Sequence, residues 1–158
     1  MINETAIERT IVDRITAHAD TFAADTPGGV WFKLVDNVGL YDIDIENIKD
    51  VVKITPACLV EYGGESASDM GNDATSSYIT ARIYVYVFVV GKMSHKQTSE
   101  DANALARAVK GALRGWYTRT DGQSMHLRYR GATPRGRIDG TGMLIKALEF
   151  ELITQDHP

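Results

Sequence analysis

Residues 78–90 read YITARIYVYVFVV, and this stretch is the strongest strand pattern in the sequence. Aliphatic side chains stand at every second position from Ile79 to Val89, which predicts one face in a hydrophobic core. The intervening positions hold aromatic residues, one threonine and one charge, Arg82. We expect that second face to be partly covered or to lie at an interface. At about 3.3 Å per residue the strand spans roughly 40 Å, so it projects beyond the core or bends.

Two helices are predicted, one before and one after this strand. Thr5 and Glu8 have the spacing of a capping box, and apolar residues at helical spacing continue to Phe22. The second helix is predicted over residues 98–115, because a hydroxyl residue and two acidic residues open it and a stripe of apolar residues follows. Gly115 stands where a left-handed helix cap belongs.

Three further strands are predicted from shorter patterns, at residues 56–62, 124–130 and 143–153. The stretches at residues 63–77 and 131–142 are rich in small, polar, glycine or arginine residues, so we expect loops there. A structureless loop as long as the first of these is usually functional or mobile in a compact domain.

Residues 30–54 carry conflicting patterns. The alternation from Asp42 to Glu46 favours a strand with one polar face, whereas the apolar residues around it suit a short helix, and both alternatives remain open. The order of the other elements predicts a single α+β domain over residues 1–158. Its sheet is expected to be mostly antiparallel with about four strands, with two main helices packed on one face and long extended loops or a hairpin arm.

The length of 158 residues and the hydrophobic content of 44% fit one globular domain with a substantial core. No apolar run approaches the roughly 18–20 residues of a membrane span, and the first residues lack the basic and apolar regions of a signal peptide. The single cysteine, Cys58, allows no intrachain disulfide and is compatible with a reducing cytoplasm.

The formal charge of −4 hides an asymmetry along the chain. Residues 1–76 hold 14 acidic and 5 basic residues, a net −9, whereas residues 77–158 hold 7 acidic and 12 basic residues, a net +5. The folded chain then has either a surface of mixed charge or complementary faces for self-assembly or for a partner.

Motifs of enzyme chemistry are missing from the sequence. It contains no phosphate-binding loop, no dinucleotide fingerprint and no nucleophile elbow. The four histidines form no short-range pair, so a zinc site is not expected. The carboxylates of Asp42, Asp44 and Glu46 suit a solvated strand face better than a calcium loop. We therefore predict no enzyme, no catalytic residue, no metal and no cofactor.

Cys58 has two interpretations. It could be a nucleophile paired with His95 or His126. Its sequence neighbours are apolar, which favours a buried residue that packs as a small hydrophobic group.

Six arginines between residues 114 and 137 form the one notable cluster of charge. One interpretation is a phosphate-binding patch, which makes a nucleic-acid-binding accessory protein the alternative function. Docking onto an acidic protein surface, or a solvated face, fits better, because the overall charge is negative and no nucleic-acid motif is present. The candidate interaction residues in this cluster and in the aromatic face of residues 78–90 are Arg128, Arg130, Arg135, Arg137, Tyr84 and Tyr86.

Several segments, taken in order and spacing, resemble the tail terminator proteins of Mu-like contractile-tailed phages and prophages, a family loosely akin to minor tail protein U of siphophages. The resemblance is carried by the capped N-terminal helix, by PACLVEYG at residues 56–63, by the strand at residues 78–90, by the helix that ends at Gly115, and by LRY at residues 127–129. It spans most of the chain but leaves residues 30–54 unmatched.

This resemblance implies a structural protein without catalytic residues, located in the virion tail after assembly in the host cytoplasm. Its relatives form rings, typically hexamers, that cap the tail tube, stop its polymerisation and join it to the head completion proteins. The expected partners are therefore further copies of the chain, the tail tube and the head completion proteins, with passive contact to phage DNA in the lumen and no membrane. A ring needs one patch of a protomer to meet a different patch of the next, and opposite charges would serve that geometry.

Overall fold

A computed structural model describes residues 3–37, 54–70, 73–91, 95–120, 123–138 and 142–156. The helices are α1 (Glu4–Thr16), α2 (Ala19–Asp25) and α3 (His95–Leu113). The strands are β1 (Leu34–Asn37), β2 (Ala57–Met70), β3 (Asp73–Val90), β4 (Tyr117–Thr120), β5 (Gln123–Ile138) and β6 (Met143–Asp156). The carboxylates at residues 42–46 and the undecided part of residues 30–54 beyond Asn37 lie largely outside the described residues.

The described strands form one sheet in the order β1-β2-β3-β6-β5-β4. β1 runs parallel to β2, and every other neighbouring pair is antiparallel. The α+β class and the mostly antiparallel sheet are confirmed, but the prediction of about four strands is wrong, because the sheet has six. The two additional strands, β1 and β4, have four residues each, which is too short for an apolar alternation to stand out in the sequence.

The two stretches predicted as loops are largely strand. Within residues 63–77, β2 continues to Met70 and β3 begins at Asp73, and the two strands pair as a hairpin. Of the two expected forms, long loops or a hairpin arm, the structure has the hairpin. Within residues 131–142, β5 continues to Ile138. Backbone hydrogen bonds between neighbouring strands hold these segments, and such bonds leave no hydrophobic pattern in the sequence.

The hydrophobic core lies between the sheet and the helices. α1 packs on β1 and β2, while α3 packs on β3, β6 and β5, so the two main helices cover one face of the sheet as predicted. The aliphatic positions of β3 lie in this core, and Ile83, Val85 and Val87 are completely buried. The strand predicted at residues 78–90 is confirmed, and β2 and β6 pair along its two sides.

The helix boundaries differ from the sequence patterns at three places. Asn3, not Thr5, caps α1, since the Asn3 side chain accepts a hydrogen bond from the Ala6 amide at 3.0 Å. The first predicted helix is interrupted after Thr16, and α2 follows as a separate helix. α3 begins at His95, three residues before the predicted start at residue 98. The predicted left-handed cap is confirmed at Gly115, whose φ is +70°.

Candidate interaction surface

The sheet face turned away from α1 and α3, here called the outer face, carries a row of aromatic side chains from β3. Tyr84 and Tyr86 are half-buried, and Phe88 is buried. The rings of Tyr84 and Tyr86 stack with centroids 6.3 Å apart, and the rings of Tyr86 and Phe88 are separated by the same distance. The Tyr86 hydroxyl donates to Glu61 Oε1 at 3.3 Å. The aromatic side chains of this face are therefore partly covered, as predicted, and contacts within the protomer provide some of that cover.

Two glycines in β2, Gly63 and Gly64, lie beside Tyr84 and form a bulge. The β2–β3 register shifts between Tyr62 and Glu65, which marks a bulge at Gly63 and Gly64. A Cβ placed on Gly63 would lie 2.8 Å from the Tyr84 ring, whereas one placed on Gly64 would meet nothing within 4 Å. The Tyr84 ring thus packs over the backbone at Gly63, where only a glycine leaves room for it.

A groove of about 450 Å³ opens on the outer face beside the aromatic row. Arg82 Nε lies 3.7 Å from Glu149 Oε1, and Arg130 Nη1 lies 3.3 Å from Glu151 Oε2. Because the two arginine side chains are more than half exposed, each pair contributes little to stability. The groove lining also includes Tyr84, so the structure brings two of the predicted residues, Tyr84 and Arg130, to one place.

The four predicted arginines are spread along the backbone of β5. Arg128 pairs in register with Glu151, and Arg130 lies in the bulge that follows. Arg137 pairs in register with Leu144, and Arg135 lies in a second bulge. Since Glu151 and Leu144 are seven positions apart in β6, the backbone positions of the arginines extend over roughly 23 Å along the strand. Their backbone positions therefore form a row along β5.

A second groove, of about 250 Å³, lies between α3 and the strands β5 and β6. Its lining includes three cations, Arg107, Lys110 and Lys146. Lys110 Nζ lies 4.5 Å from the centroid of the Tyr129 ring, and Lys146 Nζ donates to a neighbouring asparagine of α3. Sequence reasoning missed this cationic groove, because Lys146 is 36 residues from Lys110 and only the packing of α3 on the sheet brings them together.

Cys58, which the sequence left as either a nucleophile or a core residue, lies inside the protein. Cys58 is completely buried, and burial raises the pKa of its thiol well above the ordinary value. The interpretation as a small hydrophobic residue is therefore supported over that of a nucleophile. Among the described residues, no group of three or more histidine, cysteine or carboxylate side chains could hold a metal ion. No described helix combines the length and apolarity needed to cross a bilayer.

The fold and this surface define an α+β protein with an open, mixed six-stranded sheet and an outer face of aromatic and ionic contacts. The sequence model of the phage tail terminator protein family matches residues 32–154. The chain therefore belongs to the phage tail terminator family and is a structural protein of a phage-like tail. The match includes all six strands except the last two residues of β6, together with α3.

Solved structures are also similar to this chain. Among them is a chain from a structure titled "Virion of native gene transfer agent (GTA) particle", with a TM-score of 0.51 and 18% sequence identity. The similarity covers 92% of this chain and 92% of that chain, and at this identity it concerns the fold. A comparison with curated proteins finds no match.

Proposed function

We propose that this protein is the tail terminator of a phage or phage-like particle. Copies of the chain assemble into a ring on the end of the tail tube, stop the addition of further tube subunits, and offer a surface to the head completion proteins. The observation that carries this proposal is the family match over residues 32–154, which supports a role at the end of the tail rather than along it.

The described geometry supports assembly with other proteins. The outer face is an extended surface where half-buried tyrosines lie beside partly exposed ion pairs, and aromatic and arginine side chains are enriched in protein interfaces. The open sheet has a different strand at each end, so the contacts available at its two ends are different. Contacts between unlike patches are what a closed ring of identical subunits requires.

The remaining parts of the proposal follow from the family resemblance. A ring of six copies is the size we propose, assembled in the host cytoplasm and retained in the virion tail. Phage DNA passes through the lumen of such a ring and touches it without sequence-specific recognition. We propose no catalytic step, metal or cofactor for this function.

The experiment that tests this function measures tube length. Tube protein of the same phage is polymerised with and without the purified chain, and lengths are measured by electron microscopy. We expect long, heterogeneous tubes without the chain and shorter tubes with a ring at one end when the chain is present. Light scattering after gel filtration reports the number of copies in the free state. Unchanged tube lengths, together with no ring on the tube ends, would contradict the proposal.

A further inference from the structure

Two long strands, β2 and β5, leave much of their outer edges without a strand partner in the described part of the chain. β1 pairs only with residues 57–60 of β2, and β4 pairs only with residues 123–126 of β5. Beyond those pairs, no described strand lies against residues 63–70 of β2 or residues 128–138 of β5. An edge of this kind can be paired by another chain.

These two edges carry opposite charge. β2 contains three acidic residues and no basic residue, whereas β5 contains four arginines and no acidic residue. Glu65 and Arg128 are exposed, and Glu61 is half-buried. We call residues 61–70 of β2 the acidic edge and residues 128–138 of β5 the basic edge.

Neighbouring elements place further basic residues beside the basic edge and a carboxylate beside the acidic edge. The cationic groove between α3, β5 and β6 places Arg107, Lys110 and Lys146 next to the basic edge. On the other side of the molecule, the Glu8 carboxylate of α1 accepts a hydrogen bond from the Tyr62 amide at 3.0 Å. The charge asymmetry along the sequence has thus become a difference between the two strands β2 and β5, while acidic and basic side chains meet in the outer groove between them.

We propose that the basic edge of one copy binds the acidic edge of the next copy, so that the subunits of the ring meet edge to edge. This inference rests on the proposed ring-forming function and names its subunit interface. A second copy is the occupant because the same chain supplies both complementary edges, whereas nucleic acid would match only the basic one. Since the two edges are different patches, on strands β2 and β5 that β3 and β6 separate, repeating the contact closes a ring if the angle between copies allows it.

The contact depends on ion pairs more than on a long backbone ladder. β5 has bulges at Arg130 and Arg135, and Pro134 has no N–H to donate. Such features interrupt strand pairing and prevent uncontrolled growth of sheets between chains. We therefore expect ring formation to weaken as salt concentration rises, because exposed ion pairs are screened.

Charge reversal tests the interface directly. One variant carries Glu61→Lys and Glu65→Lys, a second carries Arg128→Glu and Arg130→Glu, and a third carries all four changes. We expect each of the first two to weaken assembly by about tenfold or more, because like charges then face each other. The variant with all four changes regains assembly, since its edges are complementary again. An equimolar mixture of the first two variants also assembles, as each supplies the edge that the other needs.

Controls separate this interface from a general effect of charge. Asp20→Lys and Arg114→Glu reverse exposed charges on α2 and just after α3, and we expect both to assemble like the original chain. Circular dichroism and thermal unfolding check that every variant folds, and the milder pair Glu65→Gln and Arg128→Gln replaces any that does not. These should weaken assembly in the same direction.

The outcomes distinguish the two proposals. If the original chain forms rings or caps tubes and the reversals change nothing, the edge contact is wrong while the terminator function stands. If reversal weakens assembly but the variant with four changes does not recover, the two edges do not face each other and the inference is overturned. If the original chain neither assembles nor limits tube length, the terminator function itself fails.

Discussion

At the scale of single residues, Asn3 holds the first turn of α1. A helix start leaves four amide groups without partners inside the helix, and the Asn3 side chain satisfies that of Ala6. Thr5 was the cap predicted from the sequence, but it lies inside the helix with an exposed side chain. Asn3 and Thr5 can therefore be compared by mutation, because only Asn3 has the capping geometry.

Replacing Asn3 by alanine should lower the free energy of unfolding by about 1 kcal/mol, because the Ala6 amide loses its partner. Thr5→Ala is the control, and we expect a change within about 0.5 kcal/mol, since alanine is a good helix former. Urea denaturation followed by circular dichroism measures both. Equal losses in the two variants would show that Asn3 does not act as the cap.

Cys58 illustrates how burial determines the chemistry of a residue. It is completely buried among core side chains, and burial raises the pKa of its thiol. The thiol therefore stays neutral in the folded protein under conditions in which the same group is partly ionised after unfolding. Its ordinary pKa is about 8.5.

We expect Cys58 to resist thiol reagents in the folded protein and to react at once in denaturant. Above about pH 8.5 the unfolded thiol loses its proton first, so stability falls as pH rises, by up to about 1.4 kcal/mol per pH unit from this group. Cys58→Ala should lack this contribution, although it is less stable overall because it leaves a cavity. Identical pH dependence in both proteins would contradict the assignment.

At the scale of elements, the packing of β3 on β2 depends on the bulge at Gly63 and Gly64. The Tyr84 ring lies over Gly63, and the Tyr86 hydroxyl reaches Glu61 across the strand pair. Cross-strand contacts of this kind stabilise a sheet and fix its register. The aromatic row is therefore part of the protomer as well as a candidate contact surface.

Gly63→Ala should destabilise the protein by about 1–3 kcal/mol, because its new methyl group would overlap the Tyr84 ring. Gly64→Ala is the neighbouring control, and since a Cβ there meets nothing we expect little or no loss. Thermal unfolding compares the two variants. A Gly64→Ala variant that loses as much as Gly63→Ala would mean that the bulge, rather than the Tyr84 contact, is sensitive.

At the scale of the whole molecule, the arrangement of charge bears on the alternative function. Acidic and basic residues are separated along the sequence, yet on the outer face Arg82 and Arg130 lie beside Glu149 and Glu151. Proteins that bind nucleic acid present basic patches to the phosphates. Here carboxylates are interleaved with the arginines of the outer face, which favours binding to protein over binding to nucleic acid.

We expect the chain to show no stable binding to duplex DNA at physiological ionic strength, because few phosphates could be neutralised without repulsion from the nearby carboxylates. Changing Arg130, Arg135 and Arg137 together to alanine should therefore leave DNA retention unchanged. Fluorescence anisotropy over a series of salt concentrations measures this. Tight binding that falls steeply with salt and with these substitutions would favour the nucleic-acid alternative.

The parts of the fold that were predictable share a physical cause. The strand at residues 78–90 and the stripe of α3 were visible because a buried face imposes a period of two on a strand and of about 3.6 on a helix. Gly115 was visible because a left-handed cap favours glycine. Two of the six candidate residues, Tyr84 and Arg130, share the outer groove, and the interaction role of all six stays a prediction.

The sequence by itself determined the long amphipathic strand, the helix that follows it and the separation of acidic from basic residues along the chain. Only the tertiary structure decided the number of strands, the polar hairpin between β2 and β3, and the position of each charge. β1 and β4 are too short to show a period, and the hairpin is held by backbone hydrogen bonds that any side chain allows. The acidic strand β2 and the basic strand β5 are held apart because β3 and β6 lie between them in the sheet. This strand order depends on pairing between segments that are distant in the sequence, so the sequence pattern alone did not reveal it.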